Sequence, residues 1–382
     1  MMPEHYITIP APLQICLDDV GWFNGKDDRP NGGSARTAMP RRHCAADYAA
    51  IEALGSRLGM RINCGFVLGE WDPDNRLRTV PHLSRFGGNW DNAAYLDHAE
   101  AWRCADVIRR SKHIDIAVHG LLHNHYRDGF PYSNTDYYYR DGGVLTLAEE
   151  DEIRARLEGF FSLLRHYRID RPVNSFIPPN FVYGWGGRLA RILEEFGIRY
   201  ISTPFRDDDM EMPAGVPKPH RIGLDGNTVL LDRNFSVISW KETASDPRTL
   251  PPAQGIFGAH WPNLLHPDPA RHEEVVSRWE AYFRSCAARF GTVLSRDMEF
   301  CAAQTFAHLL ARQTWADNTL TIDLSPLADI PRGGWKKPFV ISTRSPLSRC
   351  SGGAVVRVEK MGDFTNYEIV PQSAEIQAEC GF

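Results

Sequence analysis

Leu13-Gln14-Ile15-Cys16-Leu17-Asp18-Asp19-Val20 decides the fold: a largely apolar run with strand texture passes directly into two acids, and a helix and a second strand follow it. Tyr48, Ile51, Leu54 and Leu58 recur at helical spacing and stop at Gly59, after which 62–68 reads as a strand. That is one βαβ unit. The same alternation continues to about residue 295 and predicts an α/β fold with a parallel sheet. A helix over about 92–110 leads into a strand at 114–118 that ends at His119. Thr146 and Glu149 have the spacing of a capping box ahead of Ile153, Leu157, Phe160, Phe161 and Leu164. Strands at 173–177 and 198–202 flank a helix carrying Leu189, Ile192, Leu193 and Phe196, and the runs 229–231, 235–239 and 255–259 supply more strands. A helix through Val275 and Trp279, a strand near Val293 and a helix at 297–313 complete this part.

After Trp315 the texture changes. Four strand-like runs, 320–324, 339–343, 354–358 and 367–370, follow one another with no helical interval. The reading is therefore an α/β domain over 1–315 and a small all-β appendage over 316–382.

Composition narrows the partners. The 382 residues suit about two domains, and 48 Asp+Glu against 43 Lys+Arg leave a formal charge of -5. No basic run is longer than Arg41-Arg42 or Lys336-Lys337, so the electrostatic footprint of a nucleic-acid partner is missing. No stretch approaches the roughly 18 apolar residues of a membrane span, and Glu4 and His5 stand where a signal peptide would be basic and then apolar. A cytoplasmic protein with no membrane partner is expected. Eight cysteines without a CxxC pair read as reduced thiols, with Cys16, Cys64 and Cys286 as packing residues.

Loop lengths point to the working face. The long connections, 20–42, 70–90, 120–145 and 203–227, all follow strands, whereas the returns from helix to strand are short. Sites of α/β folds lie at the carboxyl ends of strands. Three groups stand there: Asp18-Asp19, His119 with His123, and His260 at the end of Gly255-Ile256-Phe257-Gly258-Ala259-His260. The spacing of His119 and His123 carries little by itself, because 14 histidines produce such pairs by chance, but its position after a buried strand gives it weight. Two histidines and one aspartate make a three-ligand set that leaves a coordination position open for water. The leftover aspartate and histidine suit proton transfer, which completes a parts list for metal-assisted acyl transfer to water. Both acids can reach one site only if the strand bulges there, and Gly21 permits the bend. Trp22, Trp185 and Trp261, each just past a strand end, are candidates for stacking on a sugar ring, and Asn180 is a further candidate substrate contact.

These motifs, spread over residues 13–262, resemble those of the NodB-homology polysaccharide deacetylases of carbohydrate esterase family 4. The two-Asp motif is matched by Leu17-Asp18-Asp19-Val20, the HxxxH motif by His119-Gly120-Leu121-Leu122-His123, and the late strand ending in histidine by Phe257-Gly258-Ala259-His260. The resemblance implies a distorted (β/α) barrel of about seven strands, Asp18 as base, Asp19, His119 and His123 as metal ligands, and His260 as general acid or oxyanion helper. It implies a zinc ion, with cobalt, manganese, iron or nickel as alternatives, a metal-bound water as nucleophile, and deacetylation of an N-acetylated carbohydrate. Departures from the family pattern are Ile177 where an arginine usually orients the base, Asn124 where a proline follows the second histidine, His125 as a rival ligand, and Ser239-Trp240 as the nearest approach to a later Asp-Trp motif. They point to a divergent substrate. Two other functions stay open: a glycoside hydrolase using Asp18 with an acid from Asp207-Asp208-Asp209, and a catalytically silent carbohydrate-binding protein.

Overall fold

Strand β1, Ala11–Val20, is buried along its whole length, as expected of a strand inside a sheet covered on both faces. A computed structural model of the chain describes residues 6–23, 38–127, 130–205, 210–212, 221–233, 238–331 and 334–381. Beyond β1, the main sheet contains β2 (Ile62–Val67), β3 (Ile114–Gly120), β4 (Ser175–Phe176), β5 (Tyr200–Thr203), β6 (Ile222–Asp225), β7 (Thr228–Asp232) and β8 (Gly255–His260). Their order is β6-β7-β5-β4-β3-β2-β1-β8. The β1–β2, β2–β3, β3–β4, β4–β5 and β5–β7 pairs are parallel, and β6 adds an antiparallel edge. The architecture is thus mixed α/β with an open, curved sheet, not a closed ladder of strands. One isolated parallel bridge, Arg233 to Ile256, joins the residue after β7 to β8.

The chain divides into two compact units. The larger comprises 15–249 and 256–280 and holds α1 (Ala45–Leu58), α2 (His98–Arg110), α3 (Glu150–His166) and α4 (Arg188–Glu195). α1 stops at Gly59, whose φ of 63° admits the left-handed turn that ends the helix. Two helix starts differ from the sequence reading. Thr146 makes no capping box, because it pairs with Tyr139 in a hairpin, Tyr138–Asp141 with Val144–Leu147, that turns at Gly142-Gly143; α3 begins only after Glu149. α2 begins at His98 and not near 92, because Asn92 is buried and its amide donates to the carbonyls of Glu70 and Asp72. Asp97 caps α2 through the Glu100 N–H. Of the expected strand 235–239, residues 235–237 lie outside the described residues.

The smaller unit comprises 1–14, 250–255 and 281–382. It takes in more chain than the helix-free stretch after Trp315, because α5 (Met298–Leu310) is bonded into it: the buried Gln304 amide donates to Pro10 O and Val340 O and accepts from Val340 N. Two four-stranded antiparallel sheets follow. One is ordered Ile7–Thr8, Phe339–Thr343, Phe364–Pro371, Gly353–Met361, and the other Arg312–Ala316, Thr319–Asp323, Glu375–Cys380, Leu347–Ser351. The four strand-like runs of the sequence are all present, with four more strands beside them in these two sheets. Among the described residues no helix is long and apolar enough to cross a membrane, and all eight cysteines are free thiols.

Candidate metal and catalytic site

The bend at the end of β1 is present. Pairing of β1 with β2 shifts register between Leu17 and Val20, Asp19 has φ of 61° and Gly21 φ of 110°. Consecutive carboxylates are thereby released from the strict alternation of a flat strand. A non-glycine residue in the left-handed region costs on the order of 1–3 kcal/mol, and such costs cluster at working sites. His123, with φ of 55°, is a second case in the same site.

The HxxxH turn is built on a buried ion pair. Asp136 Oδ1 accepts from the N–H groups of Leu121 (3.1 Å) and Leu122 (3.4 Å) and meets Arg156 Nη1 at 3.1 Å, with both side chains fully buried. Gly120, at φ of 122°, lets the chain pass this carboxylate, with which a Cβ would collide. Gly120→Ala is therefore expected to cost about 3 kcal/mol or more in urea unfolding. Gly59→Ala, where a Cβ would meet nothing, should cost only about 1 kcal/mol. Equal losses in the two variants would contradict the packing argument.

Three ligand atoms converge. His119 Nε2 lies 3.7 Å and His123 Nε2 4.0 Å from Asp19 Oδ1, and the three residues are buried. His119 Nδ1–H donates to Ile177 O at 2.7 Å, which leaves the Nε2 lone pair turned toward Asp19. Asp19 Oδ1 is buried and has no hydrogen-bond partner among the described residues. The His119 lone pair facing a carboxylate oxygen calls for a cation between them, and 3.7–4.0 Å lies within twice a zinc–ligand bond of about 2.0–2.2 Å. A divalent metal fits this group.

Asp18 and His260 stand beside it. Both oxygens of the buried Asp18 are bonded by Arg233, Nη1–Oδ1 at 2.8 Å and Nη2–Oδ2 at 3.0 Å. Burial pushes the Asp18 carboxyl up, but Arg233, His119 and His260 together outweigh it and hold the group below the usual carboxylate range. His260 Nε2 lies 4.0 Å from Asp19 Oδ2, and its ring is more exposed than those of His119 and His123. Burial pushes His260 down, against the pull of the two carboxylates. Asn263 fixes the turn: its Oδ1 accepts the His260 N–H at 2.8 Å, and its amide donates to Ser239 O and Glu242 O.

Other expectations fare differently. Trp22 and Trp261 are buried, so neither has a ring face to offer a sugar, and packing replaces the platform reading for both. Trp185 is half-buried, edge-on to Phe205, and Asn180 is exposed with φ of 53°. His125 is not a rival ligand: its Nε2 faces Glu152 at 3.4 Å between the rings of His82 and Tyr139, and burial lowers its pKa to about 3. Asp207-Asp208-Asp209 lie outside the described residues.

Arg233 was not anticipated. A guanidinium from another strand bonds Asp18 where Ile177 carries no charge: Arg233 follows Asp232, the last residue of β7 after the apolar Val229-Leu230-Leu231, and lies over the Phe181 ring at 5.2 Å. A charge immediately past a buried strand is the signal that could have found it, the same signal that singled out Asp18-Asp19. Arg156 was also missed, because it occupies the core face of α3 among Ile153, Leu157 and Phe160.

A second polar cluster supports the turn after His260. Trp261 stacks on His43 at 3.9 Å and 11°, and His43 Nδ1 bonds Asp47 at 2.9 Å. Asp47 also accepts from Arg41 at 2.7 and 2.9 Å, His272 Nε2 at 2.7 Å and Cys44 N at 2.9 Å. Burial raises this carboxyl, but its donors, Arg41 first, hold it far below the usual range. A depressed acid contributes stability above its unfolded pKa of about 3.9 and loses it as pH falls. Asp47→Asn should thus cost about 3–5 kcal/mol at pH 7, with the gap to the parent shrinking by about 1.4 kcal/mol per pH unit below pH ~4. Urea titrations of both proteins at several pH values check this, and a gap independent of pH would contradict it.

No known family profile and no curated protein matches the sequence. Among solved structures, the chain is similar to Agd3, described as a novel carbohydrate deacetylase, with 11% identity, TM-score 0.49, and coverage of 98% of this chain and 65% of that one. It is also similar to a GH57-type branching enzyme from Pyrococcus horikoshii, at 14% identity and TM-score 0.37 over 75% of this chain and 62% of that one. A GH57 branching enzyme from Thermococcus kodakaraensis matches at 14% identity and TM-score 0.33, over 78% and 66%. This chain spans less than two thirds of the length of each.

Proposed function

We propose that this chain is a divalent-metal-dependent hydrolase that removes an acetyl or other acyl group from an N-acylated sugar, a divergent relative of the NodB-homology polysaccharide deacetylases. One observation carries the reading: Asp19, His119 and His123 converge with an unbonded carboxylate oxygen at their centre, within reach of a second carboxylate and a third histidine. The seven strands β7, β5, β4, β3, β2, β1 and β8 are read as the staves of a distorted barrel, a reading supported by the bridge from Arg233 to Ile256. Residues 316–382 are proposed as a β module apart from the hydrolytic machinery.

Asp19, His119 and His123 would hold the ion; two imidazoles and a carboxylate suit zinc and also iron, cobalt, manganese or nickel. Such an ion supplies Lewis-acid polarisation of a carbonyl and lowers the pKa of water to about 7. Asp18 stays ionised because Arg233 neutralises it, and it keeps lone pairs that Arg233 does not use, so an Asp18 oxygen accepts the proton lost by water. His260 holds a proton at Nε2 for the nitrogen that leaves as the amide C–N bond breaks. Asn180 and Trp185 are the remaining candidates for contact with the sugar.

Incubation with N-acetylated oligosaccharides, with products assayed for acetate and for reducing ends, tests the proposal. Acetate released one-for-one with free amine, and abolished by a chelator, is the expected result. New reducing ends without acetate would replace it with glycosidic cleavage, and binding without either product in the presence of added zinc, cobalt or manganese would leave a silent carbohydrate binder.

A further inference from the structure

The larger unit contains a pocket of about 210 Å³ at the same edge of the sheet, where the segments after β1 and β2 meet the first turns of α1 and α2. Its lining is rich in hydrogen-bond acceptors. Glu70 and Asp97 stand with Arg42 in the described lining, the third acid, Glu100, is paired with Arg103 at 2.6 Å, and the rings of Phe23 and Tyr95 supply apolar wall. Some of these groups have structural tasks: Glu70 accepts the Phe23 N–H at 2.6 Å, Glu100 accepts the Ala45 N–H at 2.7 Å, and Asp97 caps α2.

His43, which also lines the pocket, is the informative residue. It is 1% exposed, and its Nδ1 is taken by Asp47, which accepts from every other partner and therefore leaves Nδ1 as the donor. The tautomer is fixed by that network. In the neutral ring Nε2 is then a lone pair, and it has no hydrogen-bond partner among the described residues. A buried acceptor without a donor is costly, on the order of 1–3 kcal/mol, and such a cost is relieved by an incoming N–H or O–H.

We propose that this pocket binds a primary ammonium group borne on a sugar, with His43 Nε2 and the Glu70 carboxylate as its acceptors and Phe23 and Tyr95 against the ring. The buried Glu70 carboxylate and the imidazole lone pair are acceptors side by side in the lining, and together they favour a donor-rich cation over an anion. The sugar half of the ligand rests on the carbohydrate reading above, and the ammonium half rests on the pocket itself. An N-acyl sugar has lost the charge that the pocket selects, so the site distinguishes a deacylated unit from an acylated one.

Calorimetric titration of the full-length chain at pH 7 with glucosamine, and with N-acetylglucosamine as control, tests this. Glucosamine should bind at least about tenfold more tightly than N-acetylglucosamine, and Glu70→Gln, which retains an oxygen for the Phe23 N–H, should weaken it by about tenfold or more. His43→Phe should do the same, and Tyr95→Ala, on the exposed rim, serves if His43→Phe fails to fold. His119→Ala should leave glucosamine binding unchanged, which separates the pocket from the hydrolytic reading: that variant removes the metal centre without touching the pocket. Absence of glucosamine binding, equal binding of the acetylated sugar, insensitivity to Glu70→Gln and Tyr95→Ala, or loss of binding in His119→Ala would each overturn the inference.

Discussion

Replacing Asp19 with asparagine should strip the proposed centre of its metal and lower the proposed hydrolysis by about 10³-fold or more, equivalent to roughly 4 kcal/mol of lost transition-state stabilisation. Asparagine tolerates the left-handed backbone that Asp19 adopts at φ of 61°, so the turn survives while the charge is lost. Elemental analysis of the purified variant should find far less than one equivalent where the parent carries one, with melting behaviour in the metal-free state little changed. His119→Ala should fail in the same two respects, and it should also lose some stability because Ile177 O loses its donor. Full metal content in both variants, or unchanged turnover, would remove these residues from the centre.

Arg233→Met carries the second large effect, and it falls on stability and activity together. The substitution leaves Asp18 buried without the guanidinium that bonds both its oxygens, a change expected to cost about 3–5 kcal/mol. It also removes the charge that holds the Asp18 carboxyl low, so the acid limb of the pH–activity profile should move to higher pH. Arg233→Lys keeps a positive charge but cannot bond both oxygens side by side, and it should fall between parent and Arg233→Met on both measures. The double variant Asp18→Asn, Arg233→Met removes the uncompensated charge and should regain much of the stability while staying inactive. A pH profile unmoved in Arg233→Lys, with stability alone reduced, would make the pair structural.

The site was legible in the sequence where chemistry interrupts apolar strands. Leu17 to Asp19, Val118-His119 and Ala259-His260 each place a polar group where a buried strand has no use for one, and those positions meet in space. The same rule applied to Leu231-Asp232-Arg233 would have supplied the missing arginine; it was hidden because the expectation tied the charge to position 177. Trp22 and Trp261 misled for a physical reason. An indole past a strand end is as useful for closing the core as for meeting a ligand, and burial settles the choice only after the chain has folded. The hairpin that captures Thr146 and the buried Asn92 amide were equally out of reach, because both depend on partners distant in the chain or on turn geometry at paired glycines. Arg156 on the core face of α3 shows the limit of apolar periodicity: a helix face can be buried and still carry a charge, provided an acid such as Asp136 waits beneath it.

The most direct test is anomalous scattering from crystals grown with zinc, recorded on both sides of the zinc absorption edge. A single edge-dependent peak bonded to Asp19 Oδ1, His119 Nε2 and His123 Nε2 is the predicted result. Diffraction showing no peak there, with the two imidazoles bonded to other protein groups or the ion bound elsewhere, would contradict the account.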